Sequence, residues 1–181
     1  MINPDQPDRI HHRMERKYDV AATPEQVWKA IATAKGITSW MLPTQLDPRI
    51  GGEVSLDLGD FTLTGVVTGY APNQRFAYEV PWPIADKVED VPADMVEWFE
   101  SIGASMSDVY DDLPSLTPVA TEFLIESASG GSCVIRIVTS AYGGGADWEN
   151  EFWAEMASGT FEIFDNLAIH FNESSGQTAL T

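Results

Sequence analysis

Asp147–Phe171 reads DWENEFWAEMASGTFEIFDNLAIHF, and its periodicity decides how the rest of the chain is read. Projected at about 100° per residue, Trp148, Phe152, Met156, Gly159, Ile163, Leu167 and His170 share one broad face. Trp153, Phe164 and Phe171 widen it. Glu151, Glu155, Glu162 and Asp165 gather in a narrow opposite arc, and Glu149 is the one carboxylate outside that arc. This is the pattern of a helix that buries most of its circumference and leaves one stripe in water. Asp147 is a suitable N-cap, and the carboxylates that follow suit the positive end of the helix dipole. Such a helix needs a large concave partner, which the remaining chain must supply.

The 181 residues suffice for one domain with a sizeable core. There are 28 acidic side chains against 10 Lys and Arg, a net charge of -18. That surface repels phosphate backbones and anionic membranes, which argues against nucleic acid or a membrane as partner. It leaves solubility, a basic protein surface or a cationic ligand as its meaning. The single cysteine, Cys133, lies in an apolar strand-like run and reads as packing. The N-terminus has no hydrophobic signal core and no stretch is long enough for a membrane span, so the expected location is the cytoplasm.

Residues 1–12 are polar, contain Pro4 and Pro7, and read as a flexible leader, with His11 and His12 at the surface. Met14–Val20 alternates like a half-buried strand. Ala22-Thr23-Pro24-Glu25-Gln26-Val27-Trp28 is a helix start: Thr23 caps, Pro24 fits the first position and Gln26 completes a capping box. A second short helix is expected over Gly36–Met41. From Gly51 the period becomes two, giving strands over Glu53–Leu58, Phe61–Tyr70, Gln74–Val80, Val119–Ser127 and Ser132–Tyr142. Gly143-Gly144-Gly145 reads as a hinge into the long helix, since it lacks the spacing and lysine of a nucleotide loop. The order predicts an α+β domain over 13–175, with the last helix lying across an antiparallel sheet and a tail at 176–181.

Between about 83 and 117 the alternation stops. This stretch is acidic, and Met95, Trp98, Phe99, Ile102 and Met106 recur at helical spacing, with Asp90 as a cap and Gly103 as an end. It reads as a partly helical insertion, and long excursions inside a compact domain are commonly lids or binding elements. Asp108, Asp111 and Asp112 are hard oxygen donors, but their spacing is not that of a calcium loop, so they read as a solvated acidic turn and no metal is expected.

The strand running into Ala22–Trp28, then Trp40, Gly51-Gly52-Glu53, Phe61–Tyr70, Ala71–Phe76 and the helix around Trp148–Phe171 together resemble the START/birch-pollen-allergen (SRPBCC) superfamily. The branch is similar to homologues of the activator of the heat-shock-protein-90 ATPase. The resemblance covers nearly all the chain except the leader and the insertion. It implies a helix-grip fold, a curved antiparallel sheet wrapped around the C-terminal helix with a pocket between them. Two departures stand out: Gly159-Thr160 replaces a frequent Gly-Trp pair midway along the last helix, and the connection after residue 81 is long. Members include lipid and hormone carriers, cyclases and stress-response co-chaperone domains, and fold alone does not choose among them.

Within such a fold, Trp82, Trp98, Phe99, Phe152 and Met156 are expected around a pocket mouth rimmed by the insertion, with Phe123 among the lining aromatics. Arg16, Tyr18 and Thr121 would supply polar groups, Arg16 by pairing with Glu53 or Asp57 or by meeting a ligand anion. His170 falls on the apolar face, where a packed role competes with a ligand-binding one. No catalytic signature and no cofactor motif is present. The expected function is binding of a small hydrophobic or aromatic ligand. The alternatives are a co-chaperone-like interaction module using the acidic surface, and a cyclase- or dehydratase-type enzyme.

Overall fold

The computed structural model describes residues 9–127 and 130–179. Among them, seven strands form one antiparallel sheet in the order β1-β7-β6-β5-β4-β3-β2. These are β1 (Ile10–Val20), β2 (Thr44–Leu46), β3 (Glu53–Asp57), β4 (Thr62–Ala71), β5 (Arg75–Val80), β6 (Val119–Ser127) and β7 (Cys133–Gly143). Helices α1 (Pro24–Ile31) and α2 (Ala34–Trp40) follow β1, and α5 (Asp147–Ala179) closes the chain. The insertion between β5 and β6 holds α3 (Ala93–Ser101) and α4 (Met106–Asp112), with short 3-10 turns at Val88–Asp90 and Leu113–Ser115. This is an α+β helix-grip arrangement, with α5 packed against one face of the sheet.

Local chemistry explains the boundaries. The Thr23 hydroxyl accepts from the Gln26 N–H at 3.3 Å, and the Gln26 side chain accepts from the Thr23 N–H at 2.9 Å, the reciprocal capping box that starts α1. Val27, Trp28 and Ile31 then point into the core. The β4–β5 turn closes through the Gln74 N–H on Ala71 O at 2.9 Å, with Asn73 at φ 64°. Asn tolerates that left-handed geometry, and Pro72, with its own φ fixed by its ring, fits the turn position just before Asn73. β2 is a three-residue strand that pairs with β3, too short to show a period. In β7 the residues Cys133, Ile135, Ile137, Thr139 and Ala141 alternate inward.

Three boundaries differ from the sequence reading. β1 begins at Ile10, so His11 and His12 belong to the sheet and not to a leader; residues 1–8 lie outside the described residues. The two rings take opposite faces, as adjacent strand residues must. His11 is exposed and stacks on Tyr142 at 4.5 Å, whereas His12 is buried and not at the surface. The helix α5 continues through Ala179, into the stretch expected as tail, and residues 180–181 lie outside the described residues. The insertion has two helices where one was expected. Pro92, not Asp90, occupies the cap position of α3, Gly103 at φ 85° follows its end, and Ser105 caps α4 by accepting from the Asp108 N–H at 3.1 Å.

Candidate functional site: an apolar cavity under α5

The first two turns of α5 are packed solid. Phe152 stacks on Phe99 of α3 at 5.4 Å with the rings 8° apart, and on Trp82 at 6.0 Å. Trp148 meets Phe99 edge-on at 5.8 Å and donates its indole N–H to Asp112 Oδ2 at 2.8 Å. Trp82 donates its own to Thr117 O at 2.9 Å, and Tyr110 donates to Ala85 O. Aromatic stacking and these hydrogen bonds pin the insertion to α5 and to the end of β5. Glu149, the carboxylate outside the polar arc, is fully buried here. Its Oε1 lies 2.7 Å from His12 Nε2, and its Oε2 accepts from the Gly144 and Gly145 N–H groups at 3.0 and 3.1 Å. A Cβ on Gly143 would sit 1.7 Å from Glu149 Oε1, so glycine at this position makes room for the carboxylate.

One to three turns further along, α5 stands off the sheet. A cavity of about 280 Å³ opens there, floored by Tyr78, Thr121 and Thr139 and roofed by Met156, Gly159, Thr160 and Ile163. Leu56, Leu63 and Val80 supply apolar walls. At the roof the Thr160 hydroxyl turns back to Met156 O at 2.7 Å. A Cβ on Gly159 would meet no atom within 4 Å. Thr121 and Thr139 hydroxyls lie 3.4 Å apart, and Thr121 stands opposite Tyr78 in the β5–β6 pairing. Burial pushes the Tyr78 phenol up to about 12, so it stays protonated at neutral pH. The single hydrogen bond between the two threonine hydroxyls leaves one of them a proton to offer a ligand acceptor.

A second, outer groove of about 450 Å³ continues the cavity, sharing Leu58, Pro83 and Met156 with it. Phe61 and Asp60 from the β3–β4 turn form one side, Pro92, Asp94, Met95 and Trp98 of the insertion another, and Phe152 and Glu155 of α5 the third.

The family model described as activator of Hsp90 ATPase homolog 1-like protein matches residues 21–172. The chain belongs to that family. A search of curated proteins found no match. Solved structures of similar fold include a protein of unknown function from Staphylococcus aureus, at 15% identity and TM-score 0.62 over 94% of this chain and 98% of that one. Another, from Mesorhizobium loti, has 13% identity and TM-score 0.60 over 87% and 94% of the two chains. A norcoclaurine synthase point mutant from Thalictrum, in complex with a transition-state analogue, has 13% identity and TM-score 0.55 over 94% and 99%. At such identities these likenesses speak for the fold alone.

In this member of the family the residues singled out from sequence do not converge on one place. Thr121 and Met156 line the inner cavity, and Trp98, Phe152 and Met156 line the outer groove. Trp82 and Phe99 belong to the packed aromatic cluster beside the groove. Phe123 is core, set between Trp40, Phe76, Tyr78 and Phe164. Arg16, Tyr18 and His170 lie elsewhere. Arg16 does face the side of the sheet that carries α5, but it pairs with neither Glu53 nor Asp57. Its guanidinium lies over the Phe161 ring, 4.0 Å from the centroid, and remains exposed because β1 is an edge strand. Tyr18 donates to Asp165 Oδ1 at 2.8 Å, and burial together with that carboxylate pushes its phenol up. His170 is exposed at the far end of α5, beside Lys29 and Lys35. Asp108, Asp111 and Asp112 lie on α4 and not in a turn; Asp112 is committed to Trp148, and no group of three or more metal-ligating side chains converges among the described residues. Cys133 is buried, and burial pushes its thiol up.

Tyr78, Thr139, Gly159, Thr160 and Ile163 are cavity residues that the sequence reading did not select. Tyr78 and Thr139 were legible as inward members of alternating strands. Ile163 was legible on the apolar helix face. What the pattern could not show is which inward residues touch one another and which face empty space.

Proposed function

We propose that this protein binds a small hydrophobic or aromatic molecule in the cavity between the sheet and the middle of α5, with α3 forming the rim of its mouth. The observation that supports this most is an apolar cavity whose uncharged polar side chains, Tyr78, Thr121, Thr139 and Thr160, all carry hydroxyls, next to an outer groove that shares part of its lining. Ligand pockets are mostly apolar with a few placed polar groups that fix orientation. Non-enzymatic binding in the cytoplasm is the reading that goes with it. The hydroxyls can orient a carbonyl or ether oxygen, and among the described residues no His, Asp, Glu, Lys or Cys lines the cavity beside them.

A co-chaperone-like docking role is the second reading, favoured by the family's description and by the net charge of -18. It has no need of empty space under α5. Native mass spectrometry of the purified protein, before and after denaturation, and titration with the neutral fluorophore N-phenyl-1-naphthylamine separate the two. Binding that is lost in Thr160→Trp, whose indole fills the cavity, with an unchanged melting temperature, is the expected result. Equal binding by Thr160→Trp, or none by the wild type, would move the function to the acidic surface.

A further inference from the structure

We infer that the ligand is an amphiphilic cation: an apolar or aromatic body inside the cavity and an ammonium or similar cationic group held in the outer groove. This rests on the cavity reading above and adds the charge of the molecule. The two compartments differ in the chemistry of their linings. The inner one is lined by hydroxyl-bearing and apolar side chains and by no charged one. The outer one presents three carboxylates, Asp60, Asp94 and Glu155, from three separate elements. None of the 10 Lys and Arg side chains lines either compartment.

The three carboxylates are exposed, and none takes part in any of the ion pairs among the described residues. Asp94 Oδ1 accepts only the neighbouring Met95 N–H, at 3.0 Å. Their charges therefore stay unneutralised by protein at the mouth of an apolar passage. Low-dielectric walls concentrate that field in the groove, which attracts cations and repels anions. Trp98, half-buried against Phe152 at 6.0 Å, adds an aromatic surface in the same groove, and a cation over an indole face gains further. A neutral ligand would leave all three carboxylates unused, and an anionic one would have to pass between them.

The test uses three naphthalene compounds that share one body and differ in the head group: 2-naphthylmethylamine, 2-naphthalenemethanol and 2-naphthoate. Each is titrated against N-phenyl-1-naphthylamine bound to the whole protein. The amine is expected to bind about tenfold more tightly than the alcohol and the carboxylate about tenfold more weakly, differences that shrink as salt rises. In Asp60→Asn/Asp94→Asn/Glu155→Gln the three affinities should converge on one another, since the head group no longer meets a charge, and a preference for the amine that persists in this variant would overturn the assignment of these carboxylates. These surface changes leave the core untouched, and circular dichroism checks the fold. Binding of the alcohol without preference for the amine would overturn the charge assignment and leave the cavity reading standing. Failure of the fluorophore and the alcohol alike would overturn both.

Discussion

The first two turns of α5 and the turns around Gly159 face the same sheet, yet one end is filled and the other is hollow. At the filled end Trp148, Phe152 and Trp153 are all buried, and the insertion delivers Phe99 and Trp98 to complete the stack. At the hollow end the helix offers Gly159 and Thr160, and the strands below offer Thr121 and Thr139. Both ends belong to one amphipathic face, so apolar periodicity alone does not make a packed core. Side-chain volume at each turn decides whether the helix touches the sheet or spans a gap. The insertion matters to both ends. It plugs the space beside the first turns and, through α3, rims the groove leading to the second.

Breaking the filled end should cost most. Glu149 is fully buried and holds His12 and two backbone N–H groups. Glu149→Ala leaves those donors without a partner, and removing one member of a buried pair costs about 3–5 kcal/mol. Urea denaturation measures the loss. A change below about 1 kcal/mol would mean that the start of α5 is held by its aromatic contacts alone, and the contrast between anchored and hollow ends would lose its polar half.

The hollow end can be read through Tyr78. Its phenol, raised to about 12 by burial, binds its proton more tightly folded than unfolded. The stabilisation is fully present below pH of about 10, the unfolded value, and is lost as pH rises from there through about 12. Over that window the loss attributable to this residue is about 2–3 kcal/mol, seen as the difference between wild type and Tyr78→Phe in alkaline denaturation. Burial and nearby carboxylates also raise Tyr18 and Tyr110, so the comparison with Tyr78→Phe is needed to isolate one ring. Tyrosinate absorption from Tyr78 appearing near pH 10 would mean that water enters the cavity freely.

The α+β order, the capping box at Thr23 and Gln26, and the long α5 were legible in sequence because each is a local pattern with its own period or cap. Glu149 was also visible, as a carboxylate on the wrong side of its helix, but its partner was not. His12 is 137 residues away in sequence, in a stretch whose polarity resembled a leader. The same limit applied to Arg16. Alternation placed it on the concave side, but only the strand order shows that β1 is an edge, where a charged head escapes to solvent. Phe152 and Met156 share the apolar face of α5, and Trp98 lies on the apolar side of the insertion's α3, so the groove forms where those two helices meet. Phe123 shared their composition and went to the core, since strand pairing with β5 and β7 sets it behind Tyr78.

The smallest effect has the opposite sign. Gly159 sits within α5, where glycine costs about 1 kcal/mol relative to alanine. A Cβ there would meet open space, so no contact opposes the substitution. Gly159→Ala should therefore stabilise the protein by about 0.5–1 kcal/mol and take little volume from the cavity. A rise in melting temperature with unchanged N-phenyl-1-naphthylamine affinity would show that the hollow is tolerant at its roof and that ligand binding needs no flexibility at this turn. A rise accompanied by weaker binding would show that the helix must bend at Gly159 to admit the ligand. That result would turn the difference between the two ends of α5 from one of packing into one of motion.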